Sequence, residues 1–169
     1  MQYESQVIDP EDRSSVIEIS GQEKVPTIVD GETVMNESTD IVAYLDQYYG
    51  NGKGLIPERP EDRSRVFLLD RYADGVWGLL TYQALKNVDM DGNSLDADGE
   101  HSLRQTIDKE AGILDELFQN TFFTVGERVS LADISISAFI SRIKVFSNYA
   151  PPERYTHLWD WYTRVEDQL

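Results

Sequence analysis

Two residue pairs, Val25-Pro26 and Glu37-Ser38, carry the clearest chemistry in this chain. Glu37 and Ser38 fall where a helix is predicted to begin. The free N–H groups and positive dipole end of a helix N-terminus attract a carboxylate, and a Ser hydroxyl there can donate a further bond. A Glu side chain can accept from an ammonium group. Together the pair suits the α-amino and α-carboxylate ends of a γ-glutamyl group. Alternatively, Ser38 or Asn36 caps the helix, the more frequent use of these residue types. Val25-Pro26 precedes a β-rich run, and a proline, which lacks the ladder N–H, belongs at a strand start or a bend. With a cis bond the backbone of Val25 faces sideways and can pair with another peptide. With the commoner trans bond the proline only marks the start of the strand.

The elements that must position these pairs are legible around them. The β-rich runs 27–29 and 33–35 flank Asp30-Gly31-Glu32, and Asp-Gly is a strong hairpin signal. Over 38–49, Ile41, Tyr44, Leu45 and Tyr48 recur at helical spacing. Upstream, 3–8 reads as a short strand stopped by Asp9-Pro10. A short helix over 11–19 follows, with Asp9 as N-cap, Pro10 at the first helical position and Gly21 as the stop. Residues 50–60, GNGKGLIPERP, form the clearest linker. Everything beyond reads helical. One long helix covers 61–87, bent near Gly75 and Gly78. An acidic loop covers 88–99, and an amphipathic helix with a Leu103, Ile107, Leu114 and Leu117 stripe covers 102–119. The helix predicted over 131–146 is apolar around most of its circumference, as a buried central helix should be, and an aromatic helix covers 155–165. The fold class is therefore α/β plus all-α, with a small domain at 1–50 docked on a helical bundle at 57–169.

Composition narrows the function further. The 169 residues are 40% hydrophobic and 27% charged, a globular balance. There is no cysteine, so disulfides, thiolate metal sites and a cysteine nucleophile are excluded within this sequence. No apolar run approaches the ~20 residues that span a bilayer. The first residues lack the pattern of a signal peptide, which predicts a cytoplasmic location. The net charge of −16 speaks against nucleic acid and anionic membranes as partners. Its acids are spread along the chain, which suits a solvated acidic surface or adaptation to high salt. One acidic run, 89–100, puts oxygen side chains where a calcium loop has them, at Asp89, Asp91, Asn93 and Glu100. It departs where Ser94 replaces the turn-forming Gly and Asp96 replaces an apolar residue, and no metal is assigned to it. His101 and His157 lack a nucleophile-acid arrangement and are expected at the surface.

The order Val25-Pro26, strand, Asp-Gly, strand, then Glu37-Ser38 opening Ile41-Val42-Ala43-Tyr44-Leu45 resembles the glutathione S-transferase family. Ser130-Leu131-Ala132-Asp133 resembles that family's N-capping box on the buried helix of its second domain. In such a box Ser130 satisfies the N3 amide while Asp133 reaches back to the Ser130 amide. The resemblance implies a thioredoxin-like domain that binds glutathione through Val25, Pro26, Glu37 and Ser38, with Ser130 and Asp133 as a structural cap. It implies glutathione as co-substrate, a small hydrophobic electrophile as second substrate, and a homodimer. The helix holding Tyr72, Trp77 and Tyr82 would border the electrophile pocket, with Trp77 in the core and Tyr82 a candidate lining residue.

One departure accompanies the resemblance. The family domain begins with a strand and a helix, where a catalytic Tyr, Ser or Cys sits, whereas 3–8 and 11–19 match its second strand and second helix. The thioredoxin-like domain is thus expected to be incomplete, lacking its central strand, and the activating residue is expected upstream of Met1. The strand at 3–8 would then pair directly with the next one or leave a flank open. The implied function is glutathione binding and, in a complete chain, transfer of its thiol to electrophilic small molecules. Two alternatives stand beside it: a non-catalytic binding or assembly module of the same fold, and a glutaredoxin- or omega-like thiol reductase whose Cys motif lies upstream.

Overall fold

A strand exists only where a neighbour completes its hydrogen bonds. The computed structural model of the protein describes residues 2–50, 54–88 and 95–169, and among them that condition is met by a single pair. Strands β1 (Ile28–Asp30) and β2 (Thr33–Met35) run antiparallel, with Ile28 opposite Met35, Val29 opposite Val34 and Asp30 opposite Thr33. The reversal between them needs one left-handed residue, supplied by Gly31 at φ +59. The strand expected over 3–8 is not formed, and it pairs with neither β1 nor β2. Its β-rich side chains have no ladder to join, and Tyr3 and Val7 remain 77% and 93% exposed.

The chain divides into two compact units, Met1–Leu55 and Ile56–Leu169. In the first, helix α1 (Ser14–Ser20) starts later than the expected position 11. Asp9 spends its acceptors on a turn instead: its carbonyl takes the Asp12 N–H and its Oδ1 takes the Glu11 N–H. Asp12 Oδ1 in turn accepts from the Ser14 N–H, so the first helical amide is satisfied one step further on. Gly21 ends the helix in the left-handed conformation, its N–H bonded to the Ile17 carbonyl. Helix α2 (Ser38–Tyr49) buries Ile41.

The second unit is helical: α3 (Pro60–Tyr72), a π-helical segment (Ala73–Gly78), α4 (Leu79–Val88), α5 (Ala97–Phe118), α6 (Leu131–Phe146) and α7 (Thr156–Glu166). The expected single helix over 61–87 is thus interrupted by a wider turn, and Gly75 and Gly78 both fall inside it. The Phe139 ring of α6 packs on the widened turn at Gly78, where a Cβ would stand in ordinary van der Waals contact with it, at 3.4 Å. Helix α5 begins at Ala97, inside the stretch read as loop. Asp96 Oδ1 accepts the Gly99 N–H, and Asp98 and Glu100 add acids to the first turn. Helix α6 sits at the centre, with Ile136, Ile140 and Ile143 fully buried among Trp77, Ile107, Leu158 and Trp161. Trp161 stacks on Phe118 with ring centroids 4.2 Å apart. No helix among the described residues is long and apolar enough to cross a membrane.

Candidate functional site

The first unit brings the two residue pairs to one place through an ion pair. Lys24 Nζ lies 2.5 Å from Glu37 Oε1, so the residue before Val25 touches the residue before Ser38. Thr27 Oγ1 donates to the Lys24 carbonyl at 2.9 Å and fixes the bend by which the chain enters β1. Within that bend the Val25-Pro26 peptide bond is cis. Val25, Pro26, Glu37 and Ser38 are all exposed. Glu37 occupies the N-cap position of α2 in extended conformation, and its side chain makes no cap bond. Ser38 is the first helical residue, so neither it nor Asn36 occupies the N-cap position.

Two tyrosines fix α2 against the hairpin. The hydroxyls of Tyr44 and Tyr49 both donate to Asp30 Oδ2, at 2.9 and 2.5 Å. These bonds, the one from Tyr49 foremost, hold the Asp30 carboxyl below the usual carboxylate range, and they raise both tyrosines. Toward the other end of α2, Asp46 Oδ1 accepts the Leu55 N–H at 2.7 Å and holds the linker at that residue. Lys24 and the Asp30–Tyr44–Tyr49 cluster were not singled out by the sequence. Asp30 reads there as a turn residue, and only its helical tyrosine partners reveal a second role.

In the second unit Ser130 and Asp133 lie at the N-terminus of α6 and form a capping box. Its firm half is the Ser130 N–H donating to Asp133 Oδ2 at 2.9 Å. The other half is the Ser130 hydroxyl facing the N3 amide, and that hydroxyl also donates to Asp133 Oδ2, at 2.7 Å. Asp133 accepts three more bonds, each at 2.8 Å: from the Thr124 N–H and Trp161 Nε1 on Oδ1, and from the Thr124 hydroxyl on Oδ2. Thr124, Ser130 and Asp133 are all buried. Thr124 and Trp161 lie too far along the chain for any local pattern to have linked them to the cap.

Tyr72 and Trp77 do different work from Tyr82. Trp77 is fully buried, and the Tyr72 hydroxyl donates to Glu110 Oε2 at 2.8 Å. Burial first, then that bond, pushes the Tyr72 hydroxyl well above the usual tyrosine range. Tyr82 is exposed and lines an open groove of about 520 Å³ between α4 and α6, together with Gly78, Thr81, Lys86, Phe139 and Arg142. Of the calcium-like run, Asp89, Asp91 and Asn93 lie outside the described residues. Asp96 is engaged as a helix cap, and Glu100 pairs with Arg104 at 3.0 Å. No cluster of potential metal ligands occurs among the described residues. His101 is exposed, while His157 is half-buried with Nδ1 3.3 Å from Asp115 Oδ2.

Comparison with known proteins accounts for both units. Residues 1–54 match the family model described as "Glutathione S-transferase, N-terminal domain", and residues 96–168 match "Glutathione S-transferase, C-terminal domain". A probable maleylacetoacetate isomerase of Vibrio cholerae is 31% identical over 122 residues, 70% of this chain and 56% of that protein. Protein IN2-1 homolog A of Oryza sativa is 27% identical over 128 residues, 76% of this chain and 48% of that protein. The chain thus spans about half the length of these curated relatives. Among solved structures, a delta-class glutathione transferase of Nilaparvata lugens superposes with a TM-score of 0.75 at 28% identity, over 91% of this chain and 70% of that one. Glutathione S-transferase 1-6 of Anopheles dirus species B shares the fold, with a TM-score of 0.78 at 22% identity, over 98% and 76% of the two chains. A thioredoxin-like N-terminal unit and a helical C-terminal unit, each matched by its own family model, show that the chain belongs to the glutathione S-transferase family.

Proposed function

We propose that the first unit binds glutathione and supplies the orienting half of a thiol transfer. The observation that supports this most directly is the Lys24–Glu37 ion pair, which brings the cis Val25-Pro26 step beside the exposed start of α2. In this reading the α-carboxylate of the γ-glutamyl group takes the Ser38 N–H and hydroxyl at the positive end of α2. Its ammonium group takes Glu37, whose carboxylate has acceptor sites beyond the one used by Lys24. The cysteinyl backbone pairs with the backbone of Val25, and Pro26 holds that segment in its bend. Fixing the peptide at three points orients its sulfur for attack on a small hydrophobic electrophile, and lost freedom of the reactants is the main barrier such binding removes. The homodimer and cytoplasmic location common to this reading belong to the same proposal.

Calorimetric titration tests it. Glutathione should bind, whereas cysteinylglycine, which lacks the γ-glutamyl group, should bind at least about tenfold more weakly. Ser38→Ala and Glu37→Gln should each weaken glutathione and leave cysteinylglycine unchanged. Equal affinity for the two peptides would refute the site. Glutathione binding without conjugation of a test electrophile would retain the site and assign the chain to the binding modules of the fold.

A further inference from the structure

Asp30 leads into the hairpin turn, where an aspartate side chain ordinarily accepts from the backbone of its own turn. Here Oδ2 instead accepts from Tyr44 and Tyr49, both on α2. Those bonds hold the carboxyl below the usual carboxylate range, so at neutral pH it is ionised and both bonds are charge-assisted.

The spacing of the two donors decides what they fix. Five residues of α-helix carry a side chain about 7.5 Å along the axis and about 140° around it. Two hydroxyls that far apart on α2 converge on one oxygen at one rotation and one height of the helix. Apolar packing does not impose that setting, because Ile41 is the buried residue of α2 and a single anchor lets a helix turn about it. A rotation of about 20° moves a helical Cα, about 2.3 Å from the axis, by about 0.8 Å, and the side chain beyond it by more. Hydrogen-bond distances tolerate about 0.5 Å. At its start α2 is tied by the Lys24–Glu37 pair, whose side chains are 60% and 58% exposed. In the glutathione reading the ammonium group of the peptide draws on that same Glu37 carboxylate. The tie at Asp30 is left untouched by the ligand.

We propose that Asp30 is a positioning residue of the glutathione site: gripped by Tyr44 and Tyr49, it sets the rotation of α2 and so the place of Glu37 and Ser38 relative to Val25. This role rests on the glutathione reading, and Asp30 itself makes no contact with the peptide in it. The whole device lies within the first unit.

Calorimetric titration of the full chain with glutathione and with cysteinylglycine tests it, because only the first peptide uses α2. Asp30→Ala should weaken glutathione about tenfold and leave cysteinylglycine within about twofold. Asp30→Asn keeps an acceptor oxygen for the two hydroxyls and should recover most of that loss. The double variant Tyr44→Phe with Tyr49→Phe keeps both rings and should match Asp30→Ala, and it decides the question if Asp30→Ala does not fold. Equal weakening of the two peptides would make Asp30 a merely structural residue and overturn the role. An unchanged preference for glutathione in the folded variants would overturn it as well. A wild-type chain without that preference would refute the glutathione site itself, and the role of Asp30 with it.

Discussion

Replacing Asp133 with Asn exchanges one oxygen for an NH2 group at constant shape, in a place where every neighbour is a donor. Three of the five bonds to Asp133 come from groups that can only donate: the N–H of Thr124 and of Ser130, and Trp161 Nε1. The other two come from the hydroxyls of Thr124 and Ser130, which can turn to accept. If the amide nitrogen takes the Oδ1 position, it faces both the Thr124 N–H and the indole N–H. If it takes the Oδ2 position, it faces only one obligatory donor, the Ser130 N–H, and both hydroxyls can rotate toward it. The Asn side chain should therefore settle with nitrogen at Oδ2 and orphan a single buried N–H. That costs about 1–3 kcal/mol, with the charge-assisted strength of the remaining bonds lost in addition. Asp133→Ala orphans all three and should cost upwards of about 3 kcal/mol, a large share of a typical total of about 5–15. All three tryptophans, Trp77, Trp159 and Trp161, lie in the second unit, so their fluorescence in a urea titration reports on it alone. Asp133→Asn within about 0.5 kcal/mol of wild type would refute the donor count, as would Asp133→Ala no worse than Asp133→Asn.

Three further outcomes follow from the same bookkeeping of donors and conformations. The Asp30 carboxyl is held low by Tyr49 and Tyr44, so its contribution to stability is present above the unfolded carboxyl pKa and is lost as pH falls through the lower folded value. Resonances of Tyr44 and Tyr49 should shift together in an acid titration below about pH 4, and Asp30→Asn should abolish that coupled change. The Tyr72 hydroxyl is raised by burial and by Glu110, so its contribution is present below the unfolded tyrosine pKa of about 10 and is lost as pH rises beyond it. Tyr72→Phe should remove that alkaline dependence and cost about 1–2 kcal/mol, because it leaves Oε2 of the buried Glu110 without its donor while Lys109 stays beside Oε1, as urea titrations at pH 7 and 10.5 would show. Gly21 sits at φ +72 with no atom near an added Cβ, so Gly21→Ala should destabilise the first unit by only the conformational penalty of about 1 kcal/mol, measured by amide exchange in α1.

What the sequence disclosed and what it withheld divide along the range of the interactions. Helix α6 was legible to the residue, because its apolar circumference and the Ser130–Asp133 spacing are local signals. The hairpin and α2 were nearly so, for Asp30-Gly31 and helical spacing are also local. The late start of α1 was missed because Asp9 had two local outlets, a turn or a helix cap, and sequence does not rank them. The π segment was missed because two glycines in a helix signal weakness without saying whether it becomes a kink or a wider turn. The early start of α5 at Ala97 was hidden under an acidic composition that reads as loop until Asp96 is seen to cap it. Trp161 and Thr124 were beyond any window, being joined to Asp133 only by the packing of α7 and the preceding turn on α6.

The strand expected over 3–8 failed for a different reason, and its failure bears on the site. Strand propensity is a statement about a half-buried, paired surface and not about an isolated backbone. Tyr3 and Val7 have the right side chains and no ladder, so they stay in solvent. Yet Val25-Pro26 and Glu37-Ser38 are held without them. The Thr27–Lys24 bond sets the bend, the β1–β2 pairing sets the hairpin, and Tyr44 and Tyr49 fasten α2 to the end of β1. The Lys24–Glu37 pair then closes the loop between bend and helix. Each of these contacts lies within residues 24–49, so the candidate glutathione platform is a local construction of hairpin plus helix. It does not require residues 3–8 to adopt the strand that their composition suggested.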